Sequence, residues 1–80
     1  MKYVVVRCRL DEVLEEFELE RRHVTERTGL DRKRLSRYAT NVEVMSLEVA
    51  VTIAEAIGVD PRQLYEWETI PITETWREGP

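Results

Sequence analysis

The chain has 80 residues, 42% of them hydrophobic, and a formal net charge of −4. A domain of this size buries about 60 to 65% of its unfolded surface and has no room for a deep catalytic cleft, so we do not expect an enzyme. The longest apolar run, YVVV at 3–6, is far shorter than the roughly 20 residues that cross a bilayer, and no secretory signal pattern opens the chain. We therefore expect a soluble, cytoplasmic protein without membrane contacts.

The first predicted element is a short strand over residues 3–9, YVVVRCR, which is rich in β-branched residues. In a regular strand, Val6 and Cys8 would share the inner face with Val4. An apolar strand edge is costly to leave unpaired, so we expect the strand either to join a second copy of the chain or to pair with TIPIT at 69–73. The residues that we expect to form this edge are Val4, Val5 and Val6.

Three helices are predicted next. Apolar residues at helical spacing indicate a first helix over 10–18. A second short helix ends at Gly29, because glycine adopts the left-handed conformation beyond a helix end at little cost. Asp31 is a good N-cap, so the third helix begins at Arg32.

Two further helices are expected before the tail. Ser46 can cap a fourth helix that ends at Gly58. The sequence DPRQ at 60–63 is typical of a helix start, with proline at the first position and a capping-box spacing, and predicts a fifth helix anchored by Leu64, Tyr65 and Trp67. The tail, 69–80, is expected to be an extended edge or a frayed end, in which Trp76 would suit an interface.

Positive charge is concentrated in the middle of the chain. Residues 20–40 carry seven cations and three anions, whereas residues 1–19 carry three cations and five anions and residues 41–80 carry two and eight. A surface with its positive charge on one side can bind a polyanion, whereas acidic residues spread evenly over the surface would repel one. We therefore expect residues 20–40 to form the binding surface.

The third helix can present this charge in a defined direction. At about 100° per residue, Leu35, Tyr38 and Ala39 fall on one face, whereas Lys33 and Arg37 point away from it. Two short helices joined by a glycine turn, the second of them cationic, form the arrangement in which a helix-turn-helix unit places its second helix in the DNA major groove. Arg32 and Arg34 flank the exposed stripe, Ser36 lies beside it and Thr40 lies on it.

Two motifs resemble the Cro and lambda-repressor type of helix-turn-helix domain, the xenobiotic-response-element-like family. They are HVTERTGLDRKRLSRY at 23–38 and SLEVAVTIAEAIGVDPRQLYEWE at 46–68. The resemblance covers most of the chain. It implies an all-α, compact five-helix bundle that binds operator DNA, usually as a dimer, in transcriptional control.

The resemblance also implies roles for individual residues. Arg21 stands where the family commonly has a glutamine that braces the recognition helix, so we expect this bracing to be lost. Glu43 in the following loop would repel phosphate. The expected base-reading residues are Arg32, Lys33, Ser36 and Arg37, and the expected phosphate-binding residues are Arg21, Arg34, Thr40 and Asn41.

The predicted organisation is a strand at 1–9 for pairing or dimerisation, a helix-turn-helix domain at 10–68 and the tail at 69–80. The expected partners are double-stranded operator DNA and a second copy of the chain in a homodimer, and the expected function is that of a repressor. One Cys and one His form no metal-ligand set, so no metal or cofactor is expected. The alternative is a protein-interaction module or antitoxin-like regulator that binds a protein partner with the same bundle.

Overall fold

The computed structural model describes residues 1–71 of the chain. Four α-helices, one 3₁₀ turn and two strands follow one another in these residues. The helices are α1 (Leu10–Glu16), α2 (Arg21–Thr28), α3 (Arg32–Ala39) and α4 (Leu47–Ile57), the 3₁₀ turn covers Pro61–Leu64, and the strands are β1 (Lys2–Cys8) and β2 (Tyr65–Ile70).

One hydrophobic core joins these elements. Every element contributes at least one buried side chain, and Leu10, Ile53 and Leu64 have no solvent exposure. Full burial of one such side chain stabilises the fold by about 1.5 to 3 kcal/mol. The core residues are Cys8, Leu10, Val13, Leu14, Val24, Leu35, Tyr38, Met45, Ile53, Ala54, Ile57, Leu64 and Tyr65.

The predicted helix ends are confirmed for α2, α3 and α4. The side chain of Asp31 accepts a hydrogen bond from the Lys33 amide at the start of α3, and Ser46 accepts one from the Val49 amide at the start of α4. Gly29 and Gly58 end α2 and α4 with φ of 79° and 96°, where a side chain would be strained. The first helix ends at Glu16, two residues earlier than expected.

The predicted fifth helix is wrong, and so is the all-α five-helix class. Asp60 caps the segment as expected, but the helix is a single 3₁₀ turn that ends at Leu64. Tyr65 and Trp67, expected to anchor a helix, lie in β2. The reason is the alternation of YEWETI, which has the period of a strand and finds a partner in β1.

The two strands form an antiparallel sheet within the chain. Lys2 pairs with Ile70 at one end and Cys8 with Tyr65 at the other. The intrachain alternative for β1 therefore holds in this structure, although its partner overlaps the expected TIPIT segment only at Thr69 and Ile70. Each strand of a two-stranded sheet keeps one edge without a strand partner in residues 1–71.

A β-bulge at Val6 changes the direction of the side chains in β1. Val5 pairs with Trp67 and Arg7 with Glu66, so Val6 is the extra residue. The bulge shifts the alternation by one position, with the result that Cys8 is buried while Val6 is 51% exposed. The expected inner face shared by Val6 and Cys8 is therefore wrong.

No helix in the part of the chain that the structure describes is long and apolar enough to cross a membrane. Trp76 and most of the predicted tail lie outside the described residues.

Candidate nucleic-acid interface

The turn between α2 and α3 is fixed by local hydrogen bonds. The Thr28 hydroxyl donates to the Val24 carbonyl at 2.7 Å and accepts from the Leu30 amide at 3.2 Å. Gly29 then reverses the chain in the left-handed conformation, and Asp31 caps α3. These contacts set the angle at which α3 leaves α2.

The inner face of α3 anchors it to the core. Leu35 and Tyr38 are 1% and 2% exposed, and Ala39 packs partly buried beside them. The Tyr38 hydroxyl accepts a hydrogen bond from Arg34 Nε at 3.0 Å, so its polar group is satisfied. The rotation of α3 about its axis is therefore fixed by packing.

The cations of α3 lie on its exposed side, as its periodicity predicted. Arg32 and Lys33 are exposed and their side chains form no ion pair with any other described residue. Both lie in the first turn, where the helix dipole adds positive potential. Arg37 is 58% exposed and its Nε lies 3.5 Å from a carboxylate oxygen of Glu43. Arg34 uses Nε for its hydrogen bond to Tyr38, which leaves its two terminal nitrogens available for other partners.

Arg21 links α2 to α1 and, through a longer contact, to α3. Its Nε and Nη2 bind the two carboxylate oxygens of Asp11 at 2.9 and 2.7 Å, and its Nη1 donates to the Ser36 hydroxyl at 3.5 Å. The hydrogen bond to Arg21 lowers the pKa of Asp11, and the same contact raises the pKa of Arg21. The glutamine amide of the family is absent, and the longer side chain of Arg21 instead binds Asp11 and reaches Ser36 at the long limit of a hydrogen bond.

Thr40 and Asn41 are held by the protein itself. The Thr40 hydroxyl donates to the Ser36 carbonyl at 2.7 Å. Asn41 has a φ of 67°, and its side-chain oxygen accepts a hydrogen bond from the Cys8 amide at 2.7 Å. The end of α3 is thereby tied to β1.

Only some of the expected site residues lie together. An open groove between the first turns of α2 and α3 brings Arg21, Arg32, Lys33 and Ser36 into one surface, where Glu20 and Asp31 add negative charge. Arg34, Arg37, Thr40 and Asn41 lie outside this groove. The predicted residues therefore form a groove and a separate region towards the end of α3.

The comparisons with known proteins agree with this geometry. Residues 9–69 match the model of the Cro/C1-type HTH DNA-binding domain. The chain belongs to the Cro/C1-type helix-turn-helix family. It is 33% identical over 63 residues to the SPbeta prophage-derived uncharacterized HTH-type transcriptional regulator YotL of Bacillus subtilis (strain 168), a match that covers 78% of this chain and 79% of the relative.

A solved structure is similar to this Cro/C1-type domain. It is the crystal structure of a protein from Bacteroides fragilis described as a candidate DNA-binding protein. The two are 35% identical with a TM-score of 0.68, and the match covers 75% of this chain and 97% of the other. The fold assignment therefore rests on sequence and on structure.

Sequence reasoning missed one surface of this Cro/C1-type domain. A shallow apolar surface beside β2, called here the β2 surface, contains Val44, Leu47 and Trp67, which are 64%, 77% and 41% exposed. Exposed Leu47 lies in the first turn of α4, one of whose other faces packs in the core, so helical spacing alone did not reveal it. Its remaining lining residues are Val5, Met45, Ala50, Pro61, Arg62 and Tyr65.

Proposed function

We propose that this chain binds double-stranded DNA in a sequence-specific manner as a transcriptional regulator, with α3 in the major groove. The observation that carries the proposal is the orientation of α3. Burial of Leu35 and Tyr38 directs Lys33 and Arg37 outwards from a helix whose rotation is fixed. Membership of a DNA-binding family supports it.

Binding would begin with the phosphates. The positive first turn of α3 and the flanking Arg34 attract the DNA backbone, and each neutralised phosphate releases counterions. Thr40 and Asn41 lie at the other end of the helix, where the amide nitrogen of Asn41 can donate to a phosphate oxygen while its oxygen holds Cys8. These contacts position the helix without selecting a sequence.

Base reading would fall to the exposed residues of α3. Arg32, Lys33 and Arg37 offer donors to guanine O6 and N7, and the hydroxyl of Ser36 can donate or accept. For Arg21 we favour a bracing role over a phosphate contact, because Asp11 offsets its charge and occupies two of its nitrogens. Arg21 would then act by orienting Ser36.

A salt series tests DNA binding directly. An operator is first selected from a random duplex pool, and its affinity and that of random duplex are then measured between 50 and 200 mM salt, a range over which several phosphate contacts cost about 10³-fold or more. We expect binding to both at low salt, a log–log slope of about −0.9 for each neutralised phosphate, and tighter binding to the operator. Failure to bind any duplex at low salt would overturn the proposal.

We further propose that two copies act together, as repressors commonly do. An eight-residue helix is about 12 Å long and spans only a few base pairs, so useful selectivity calls for two half-sites about 34 Å apart. The β2 surface supports a second copy as its occupant, because it gathers the exposed apolar side chains of Val44, Leu47 and Trp67 in one patch, and exposed apolar patches commonly mark protein interfaces. Sedimentation should give a dimer for the wild type and for F17E, which changes an exposed residue outside the β2 surface, but a monomer for L47E.

The second candidate function, binding of a protein partner by an antitoxin-like regulator, is favoured by the same β2 surface. It predicts a wild-type monomer at all concentrations, with no effect of L47E on sedimentation. That result would exclude the homodimer and leave the DNA-binding proposal to be decided by the salt series.

A further inference from the structure

The chain after α3 turns back onto Arg37. Asn41 makes the turn with its positive φ, and the amides of Val42 and Glu43 then both donate to the Arg37 carbonyl, at 2.8 and 3.2 Å. Glu43 is therefore held by its backbone to the residue that its side chain also approaches. Its position is a consequence of the helix end rather than of a chance surface contact.

The contact between the two side chains has a defined direction. An oxygen of the Glu43 carboxylate lies 3.5 Å from Arg37 Nε. This oxygen exposes less than 1 Å² to solvent and accepts no hydrogen bond from the described residues, although the Glu43 side chain as a whole is 40% exposed. Because it is shielded from water, its attraction for the nearby guanidinium is screened less than that of a fully exposed carboxylate.

The same contact leaves the far end of Arg37 available. The guanidinium has five donors in a planar fork, and the recorded contact is made at Nε, at the base of that fork. The Arg37 side chain remains 58% exposed. Its two terminal nitrogens can therefore form the paired hydrogen bonds that guanine O6 and N7 accept.

We propose that Glu43 is a positioning residue that holds Arg37 by Nε, so that the terminal nitrogens are oriented for a guanine before DNA arrives. The inference rests on the proposed function, since it assumes that α3 reads bases. An arginine that is already ordered loses less conformational freedom on forming the paired contact. A phosphate contact needs no such orientation, and there the negative charge of Glu43 is only a disadvantage.

The proposal therefore predicts opposite effects on two kinds of DNA. In E43Q the charge is removed and the hold on Nε is weakened, so operator affinity should fall about threefold to tenfold. Affinity for random duplex should rise about twofold, because one repulsive charge is gone. A carboxylate that only repels phosphate would instead raise both affinities.

A second variant of Glu43 and a control variant separate the effect of the carboxylate's position from that of its charge. E43D keeps the charge but shortens the side chain, so we expect it to lose operator affinity as E43Q does, with random-duplex affinity unchanged. E55Q is the matched control, because Glu55 is exposed on α4 and forms no ion pair with another residue of 1–71. It should leave the ratio of operator to random affinity as it is in the wild type.

The experiment measures wild type, E43Q, E43D and E55Q on the selected operator and on random duplex at one salt concentration, with the thermal midpoint of each variant as a check of folding. R37A and the double variant R37A/E43Q complete a cycle. The proposal expects E43Q to cost no operator affinity once Arg37 is absent, and expects the preference for guanine at one operator position to weaken in E43Q. An equal rise on both DNAs, or no change on either, would overturn it. Absence of wild-type binding would instead overturn the proposed function.

Discussion

Arg21 and Asp11 form a two-point contact in which both carboxylate oxygens accept hydrogen bonds from one guanidinium, at 2.9 and 2.7 Å. The pair joins α2 to α1, and the third nitrogen of Arg21 extends the connection to Ser36 of α3. Paired geometry of this kind is more specific than a single contact between charges. The first helix, remote from α3 in sequence, thus supports the helix for which we propose base reading.

The Arg21–Asp11 pair should make stability depend on pH. Because Arg21 lowers the pKa of Asp11 in the folded protein, the stabilisation is present above the unfolded value of about 3.9 and is lost as the pH falls through the lower folded value. Asp11 is 53% exposed, so we expect D11N to cost less than about 1 kcal/mol at pH 7. Denaturant unfolding of D11N and wild type should show this gap closing below about pH 3.9. A gap that is constant with pH would contradict the assignment.

The exposed arginines of α3 should differ in their effect on sequence preference. R37A should cost about 1 to 3 kcal/mol on the selected operator and relax the preference at one position, because a base contact is lost. R34A should weaken binding to all sequences alike, because its contact would be to phosphate. Titrations of both variants on operator and random duplex decide this. An equal loss on every sequence for both variants would remove the reading role of Arg37.

Core anchoring and DNA contact should be separable within α3. L35A removes a side chain that is 1% exposed and should reduce the free energy of unfolding by about 2 to 5 kcal/mol. R32A, three positions earlier on the exposed side, should change it by less than about 0.5 kcal/mol while weakening DNA binding. Urea unfolding measures the first effect and duplex titration the second. A stability loss in R32A as large as that in L35A would contradict the orientation of the helix.

Asn41 should be needed for stability as well as for its proposed phosphate contact. N41A leaves the part-buried Cys8 amide without its acceptor. Alanine also lacks the polar side chain with which asparagine tolerates a φ of 67°, so we expect the free energy of unfolding to fall by about 1 to 3 kcal/mol. N41G removes the same hydrogen bond but accepts the backbone conformation, and should lose less. Thermal unfolding of the two variants distinguishes the contributions. Equal losses would mean that the left-handed backbone contributes nothing.

Local signals in the sequence predicted the parts of the fold that depend on neighbouring residues. Asp31, Ser46 and the glycines at the helix ends mark boundaries because each acts within three or four positions. The prediction of a fifth helix failed because the spacing of Tyr65 and Trp67 is also compatible with a helix. What decides for a strand is pairing with β1, about 60 positions earlier in the chain. The only local indication of this strand is the weak alternation of apolar and polar residues in YEWETI.

For the candidate site, the sequence predicted the orientation of side chains on α3 but not the partners of its arginines. The period of α3 placed Leu35 inwards and Lys33 outwards, since packing and periodicity agree there. The ion-pair partners of the arginines were not predictable. Asp11 pairs with Arg21 and Glu43 with Arg37 across turns, and the conformation of these turns cannot be deduced from the sequence. The sequence predicts that Glu43 would repel phosphate, but it does not reveal the contact of Glu43 with Arg37.

The extra residue at Val6 has a consequence for how this strand tolerates changes in length. Removing it would leave a regular ladder in which Val5, Arg7 and Cys8 still face Trp67, Glu66 and Tyr65, so that Cys8 would stay on the inner face with Val5. The Cys8 amide would keep its direction towards the oxygen of Asn41. We therefore expect β1 to tolerate the loss of this one residue while the contact that ties the strand to the end of α3 stays in place.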